Sequence, residues 1–372
     1  MTDKLLQQGS PLTEKKRYEW IDNARIVAAF CIMFHHLLAQ THFGGTFGSE
    51  YLHSLAIAAP FSGRVPFFLI LAGYFLARNI TWSKAFDRFL WLLIPFVIWN
   101  AIYCYLVLQH PFTVKGIFTH LLGINCLGNP HFALLGAEEP QVPDIGPSWF
   151  LRDIMFLSLF TPLIVKLKKW IPMYLLMLLA ASPLNRTPEA GAFFAPSTVF
   201  FYLLGVMLCR YRIADAYRIL CPEFTKYVVV GLLFSTTAIT VCTYLGIAEY
   251  RGVPISGTFA SLVGMVFGAL MFAQCGVLIE KHLPNISKRL APCGPACFLV
   301  FMLHQPLFDL LCRALPSSVW NSWYVLLVPV PAFVCIVCFF LLMKKYTPFL
   351  MPYLGHMKVA KVTKTTAKTT QS

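Results

Sequence analysis

Residues 21–36 read "IDNARIVAAFCIMFHH". The middle of this run is apolar enough for lipid, yet it carries Arg25 near one end and His35 and His36 at the other. On an α-helix Arg25 and His36, eleven positions apart, are separated by three turns plus about 20° and a rise of about 16 Å. They therefore share a face. His35 is turned from Arg25 by about 80° and flanks that face. A charge at the centre of a membrane span costs roughly 2.5–3.5 kcal/mol, so the pair needs a reason. Two readings stand. In one, Arg25 snorkels to headgroups, Asp22 pairs with it, and the histidines are interfacial. In the other, the face lines a cavity with a guanidinium for a phosphate or carboxylate and an imidazole for a hydroxyl proton. Two such groups on one face favour the second reading.

The rest of the chain has the same solvent. Of its 372 residues 58% are hydrophobic and only 12% charged, with 33 phenylalanines, which does not describe a soluble surface. Apolar stretches long enough for the ~30 Å hydrocarbon core fall near 20–39, 60–77, 89–108, 148–165, 170–184, 196–209, 227–246, 257–279, 295–314 and 322–343. The stretch at 170–184 is short enough to be tilted or re-entrant. The sequence thus predicts an all-α polytopic integral membrane bundle of about ten transmembrane helices, with both termini on one side.

The net charge of +14 raises nucleic acid as a partner, and the placement of the charge argues against it. On this span assignment, 23 of the 30 lysines and arginines fall on the side that holds the termini. That asymmetry follows the positive-inside rule and puts both termini in the cytoplasm. Three regions follow: a cytoplasmic segment 1–19, one membrane domain 20–345, and a basic tail 346–372 expected to be disordered from about 357. The amino-terminal segment lacks a signal-peptide core, so the first span is expected to act as the insertion signal. The 12 cysteines sit mostly in apolar spans and imply no disulfide framework. Cys293 and Cys297 lack a second pair for zinc, so no metal is expected. The long connection 109–147, with His110, His120, His131, Glu138, Glu139 and Asp144, is a candidate lid or a solvated connector.

Other polar residues lie at the edges or inside the predicted spans. Arg64 opens the second span near the rim, suited to an acidic or sugar acceptor or to a headgroup. Arg88, beside Asp87 at the opposite edge, reads first as a positive-inside anchor. Arg152 and Asp153 in "GPSWFLRDIMF" read first as a local ion pair with neighbouring helices and second as a substrate contact. His304 lies inside "FLVFMLHQPLFDLL" with Asp309 five positions on. That is the His-x4-Asp spacing of soluble glycerolipid acyltransferases, here without their context and so a coincidence.

Three stretches in this order resemble the membrane acyltransferase-3 family. Arg25-x10-His36 reproduces its opening signature. "PFFLILAGY", Pro66 to Tyr74, matches P-x-F-F-x-x-S-G-[FY] in part, with Leu69 and Ala72 as departures. "RFLWLLIP" keeps Arg88 and Pro95 of R-x-x-R-L-[LI]-x-P and has Trp91 at the second arginine. Further similarity runs through "PSWFLRDIMFLSLFTPLI", "FYLLGVMLCR" and "FMLHQPLF", and the overall pattern is closest to shorter members without a soluble domain.

The resemblance implies an acyl-CoA-dependent O-acyltransferase, most simply an O-acetyltransferase, in the bacterial inner membrane. It would take an acyl group from cytoplasmic acyl-CoA and place it on a hydroxyl of an envelope glycan or lipid-linked sugar. Carried over by position, His36 is the catalytic histidine and Arg25 a donor-side cation. Beyond that carry-over, His36 is read as the general base with His35 as second candidate, Arg88 as a further donor-side cation, and Arg64, Trp149 and His304 as acceptor-side residues. No permanently bound cofactor is implied; the partners are acyl-CoA, the acceptor and membrane lipids. The rival reading is a transporter or exporter of a glycan, lipid or small anion, since intramembrane Arg and His also mark transport pathways. Carriers often show paired broken helices in two related halves, and no such pairing is visible here.

Overall fold

Backbone in lipid has no water to bond, so each span must satisfy its own amides, and helices do this within one segment. A computed structural model describes residues 18–40, 63–78, 80–107, 113, 148–175, 196–210, 224–234, 237, 249–250, 253–254, 259–316 and 327–353. Nearly all of these are helical. In chain order they form α1 (Glu19–Gln40), α2 (Arg64–Leu76), α3 (Trp82–Ala101) continued by a π turn Ile102–Val107, and α4 (Trp149–Lys166). Then come α5 (Pro196–Arg210), α6 (Phe224–Phe234), α7 (Phe259–His282) and α8 (Pro284–Leu290). A 3-10 segment Ala291–Ala296 leads into α9 (Cys297–Ala314), followed by α10 (Pro329–Tyr346). The extended structure among the described residues is one antiparallel pair, Glu249–Tyr250 with Val253–Pro254.

Each of the ten predicted stretches coincides with helix in its described part. Among the described residues four helical stretches are long and apolar enough to cross a bilayer: Trp82–Tyr105, Val263–His282, Pro284–Leu311 and Pro329–Tyr346. The outward faces agree. Val230, Leu233 and Phe234 on α6 and Val330, Val334 and Leu342 on α10 are each more than half exposed. Apolar faces of this extent mark a surface that meets lipid. The amino-terminal segment up to 17, the connection 109–147 apart from Thr113, and the tail from 354 lie outside the described residues.

Local sequence explains the ends. Thr81 caps α3, its side chain accepting from the Lys84 backbone N–H at 3.3 Å, which satisfies one orphan donor of the first turn. Pro284 and Pro329 open α8 and α10, where the missing N–H costs nothing.

The unusual helix is α1, which sits at the centre of the described bundle. It packs on α2, α7, α8, α9, α10 and the 3-10 segment. Ala24, Ala28, Ala29, Met33 and Leu37 are sealed in this core. Asn23 is also fully buried; its amide donates to Ser287 Oγ at 2.7 Å, and that hydroxyl donates to Glu19 Oε2 at 3.3 Å. This small network fixes α1 against α8.

A second close joint holds α2 to α5. A Cβ at Gly73 would run into the Tyr202 carbonyl oxygen, and one at Gly205 into the Ile70 carbonyl oxygen. Small residues at such crossings let helices approach to backbone contact, the usual means of packing where lipid removes the hydrophobic drive.

Candidate functional site

The site is built along one side of α1. Near its start Arg25 Nη1 lies 3.3 Å from Asp22 Oδ1, with the two side chains 31% and 13% exposed. Spacing of three residues brings such partners together on a helix. This pair is therefore open to solvent or substrate on the arginine side. Asp22 also rests against the 3-10 segment, where a Cβ at Gly294 would stand 2.6 Å from its Oδ1. Arg25 is within electrostatic range of Cys297, the first residue of α9.

Toward the other end of α1 the two helices are still neighbours. The His36 ring lies 5.1 Å from the His304 ring of α9 and 5.4 Å from His35, centroid to centroid. Arg64, the first residue of α2, is within electrostatic range of His36. Thus α9 runs alongside α1 in the same direction, presenting Cys297 to Arg25 and His304 to His36.

His304 is fully buried, and its Nδ1 lies 2.6 Å from the Val300 carbonyl oxygen. A carbonyl only accepts, so Nδ1 carries the hydrogen and Nε2 is left with a lone pair. Among the described residues that Nε2 has no hydrogen-bond partner. Phe308 stands against the ring at 6.2 Å, and Phe301, one turn earlier, packs on Phe68 at 4.9 Å and on Phe150 at 4.8 Å. The helix that carries His304 is thus tied by aromatic contacts to α2 and α4.

The remaining candidates fall elsewhere. Arg88 Nη1 donates to the Leu76 carbonyl oxygen at 3.1 Å, closing the end of α2 as cations near a helix C-terminus do. Trp149 opens α4 half-buried beside Phe150, with ring centroids 6.3 Å apart, one aromatic contact removed from the His304 segment. Of the predicted site residues, the structure gathers His36, His35, His304 and Arg64, and leaves Arg25, Arg88 and Trp149 in separate places.

Three further polar residues, Ser148, Asn100 and Tyr103, carry no assignment from the sequence. Ser148 donates to Asn100 Oδ1 at 3.1 Å, Asn100 donates to the Phe96 carbonyl oxygen at 2.9 Å, and Tyr103 in the π turn bonds the Asp309 carboxylate. Arg152 and Asp153 pair with each other within α4: Nε donates to Oδ1 at 3.0 Å and both side chains are fully buried. For Ser148, Asn100 and Tyr103 the sequence signal is a polar residue in an apolar run; the partner across the bundle is what the sequence does not show.

The family model described as an acyltransferase domain matches residues 18–343. The chain belongs to the acyltransferase-3 family. No curated protein and no solved structure matches it. It is an acyltransferase, and its family and apolar helices make it a multi-pass membrane protein.

For an acyltransferase the arrangement offers two separate chemistries on one rigid helix. The Arg25 end presents a half-exposed guanidinium suited to an anion. The His36 end presents imidazoles, whose ring nitrogens can take and return a proton. Among the described residues no group of three or more His, Cys, Asp or Glu side chains is placed to hold a metal ion.

Proposed function

We propose that this acyltransferase moves an acyl group, acetyl foremost, from cytoplasmic acyl-CoA to a hydroxyl of an envelope glycan or lipid-linked sugar. The reading includes about ten spans, both termini in the cytoplasm, and residence in the bacterial inner membrane. No resident cofactor takes part. The observation that carries it is the continuous helix α1, which holds Arg25 and His36 on one face, both against α9.

Their axial separation of about 16 Å suits a donor whose phosphates and thioester lie at opposite ends of an extended arm. Arg25 holds the anionic end, with Arg88 as a further donor-side cation, and the thioester reaches the imidazoles. His36 accepts the proton of the acceptor hydroxyl as its oxygen bonds the acyl carbon and the carbon–sulfur bond breaks. The same nitrogen returns that proton to the departing thiolate, so the base ends as it began. Arg64 and Trp149 flank the acceptor, and His35 is the alternative base. A positioned general base contributes typically 10²- to 10⁴-fold, enough to be read by mutation.

The test uses purified protein in detergent, acyl-labelled acetyl-CoA and extracted envelope glycans, followed by mass spectrometry of the glycans. Label should appear as base-labile ester, and His36→Ala should reduce the rate at least 100-fold. A wild-type rate in His36→Ala removes the assignment. Detergent also separates the transport reading, because a carrier has no gradient there and moves no label between molecules.

A further inference from the structure

We infer that His304 is a positioning residue for His36: the lone pair of its Nε2 accepts an N–H from the His36 ring and so leaves the other His36 nitrogen free to act as the base. This rests on the proposed role of His36 and goes beyond it, since that role alone requires only one histidine.

Four observations carry the inference. His304 is fully buried, so no water competes for its ring. Its Nδ1 is committed to the Val300 carbonyl at 2.6 Å, within its own helix, which fixes both the tautomer and the ring plane. Its Nε2 has no hydrogen-bond partner among the described residues, an uncommon state for a buried polar atom. And the ring nearest to it that can donate is His36, at 5.1 Å between centroids with the planes tilted by 42°. Two imidazoles joined by an N–H···N bond of about 3 Å have centroids separated by that length plus two ring radii, close to the separation seen. His36 is the less enclosed of the two, and a turn of its ring would bring an N–H onto the His304 lone pair.

The chemistry follows from the tautomers. A neutral imidazole has one N–H and one lone pair. If its N–H points at His304 Nε2, its lone pair points away, toward the acceptor hydroxyl. When His36 takes the proton it becomes a cation in a site with little water, and the His304 lone pair remains bonded to it. A carboxylate does this for the histidine of hydrolase triads; here a neutral, backbone-anchored imidazole does it. Asp309, the acidic residue nearest in sequence, is engaged with Tyr103, and the other groups able to influence His36 are His35 and the Arg64 guanidinium.

The test compares His304→Gln with His304→Leu in the full-length purified protein. Both fill the space, but only glutamine offers an acceptor near the position of Nε2. His304→Leu should lower kcat by at least 100-fold while the KM for acetyl-CoA changes less than threefold, and His304→Gln should recover at least tenfold of the loss. Equal kcat in the two variants overturns the inference whether both are active or both are dead, because neither result follows the acceptor atom. His36→Ala run in parallel separates the failures. If it is dead while His304→Leu is fully active, only the present inference falls; if it is active, the parent reading falls first.

Discussion

Asn23 donates to Ser287 across 2.7 Å, joining residues 264 positions apart in the chain. Two turns of helix thus hold the start of α1 in fixed register with α8, and the register of Arg25 and His36 against α9 is set from there. Asn23→Ala removes a buried donor and strands a buried hydroxyl of which only the bond to Glu19 survives. A loss of about 1–3 kcal/mol is expected. It should be measured as a lowered thermal midpoint in detergent, with Asn23→Ser losing less than Asn23→Ala.

Close contact of α2 and α5 at Gly73 and Gly205 leaves no room for a side chain, because each would meet backbone rather than a movable group. Gly205→Val should force the helices apart and abolish a monodisperse peak in detergent chromatography. Substitution of the neighbouring half-exposed Met207 by Leu, which conserves volume, should leave the peak intact.

Arg25 and Arg88 are both donor-side candidates, and their surroundings separate them. Arg25 has exposed surface and a carboxylate neighbour in Asp22, whereas Arg88 is spent on the Leu76 carbonyl. Arg25→Ala should raise the KM for acetyl-CoA at least tenfold with little effect on the thermal midpoint. Arg88→Ala should show the opposite balance, losing about 1 kcal/mol of stability, as for a typical hydrogen bond, with a smaller change in KM.

A histidine base also fixes the sign of the pH response. The base must be unprotonated, so kcat/KM should fall as pH drops through the range in which His36 takes up its proton, by about tenfold per unit on the acid limb. Arg25→Ala should lower the whole profile and leave that limb in place. A profile that rises toward acid would contradict a base mechanism.

The helical membrane bundle was legible because lipid imposes one requirement, long apolar helices, and among the described residues four stretches meet it. The face shared by Arg25 and His36 was also legible, being a property of one helix and its period. Partnerships between helices were not. Nothing in "FLVFMLHQPLFDLL" says that His304 meets His36 while Asp309 meets Tyr103. Arg88 shows the same limit. Its position at a helix edge was read from charge placement, but the carbonyl it closes belongs to another helix.

Gly294 is a small matter until it is seen from the side of inheritance. Its hydrogen leaves the room in which Asp22 sits, and Asp22 in turn steadies Arg25. Positions 22, 25 and 294 therefore share a single fate: a lineage that acquires a side chain at 294 must also remodel the first turn of α1, and drift at any one of the three is answerable to the other two.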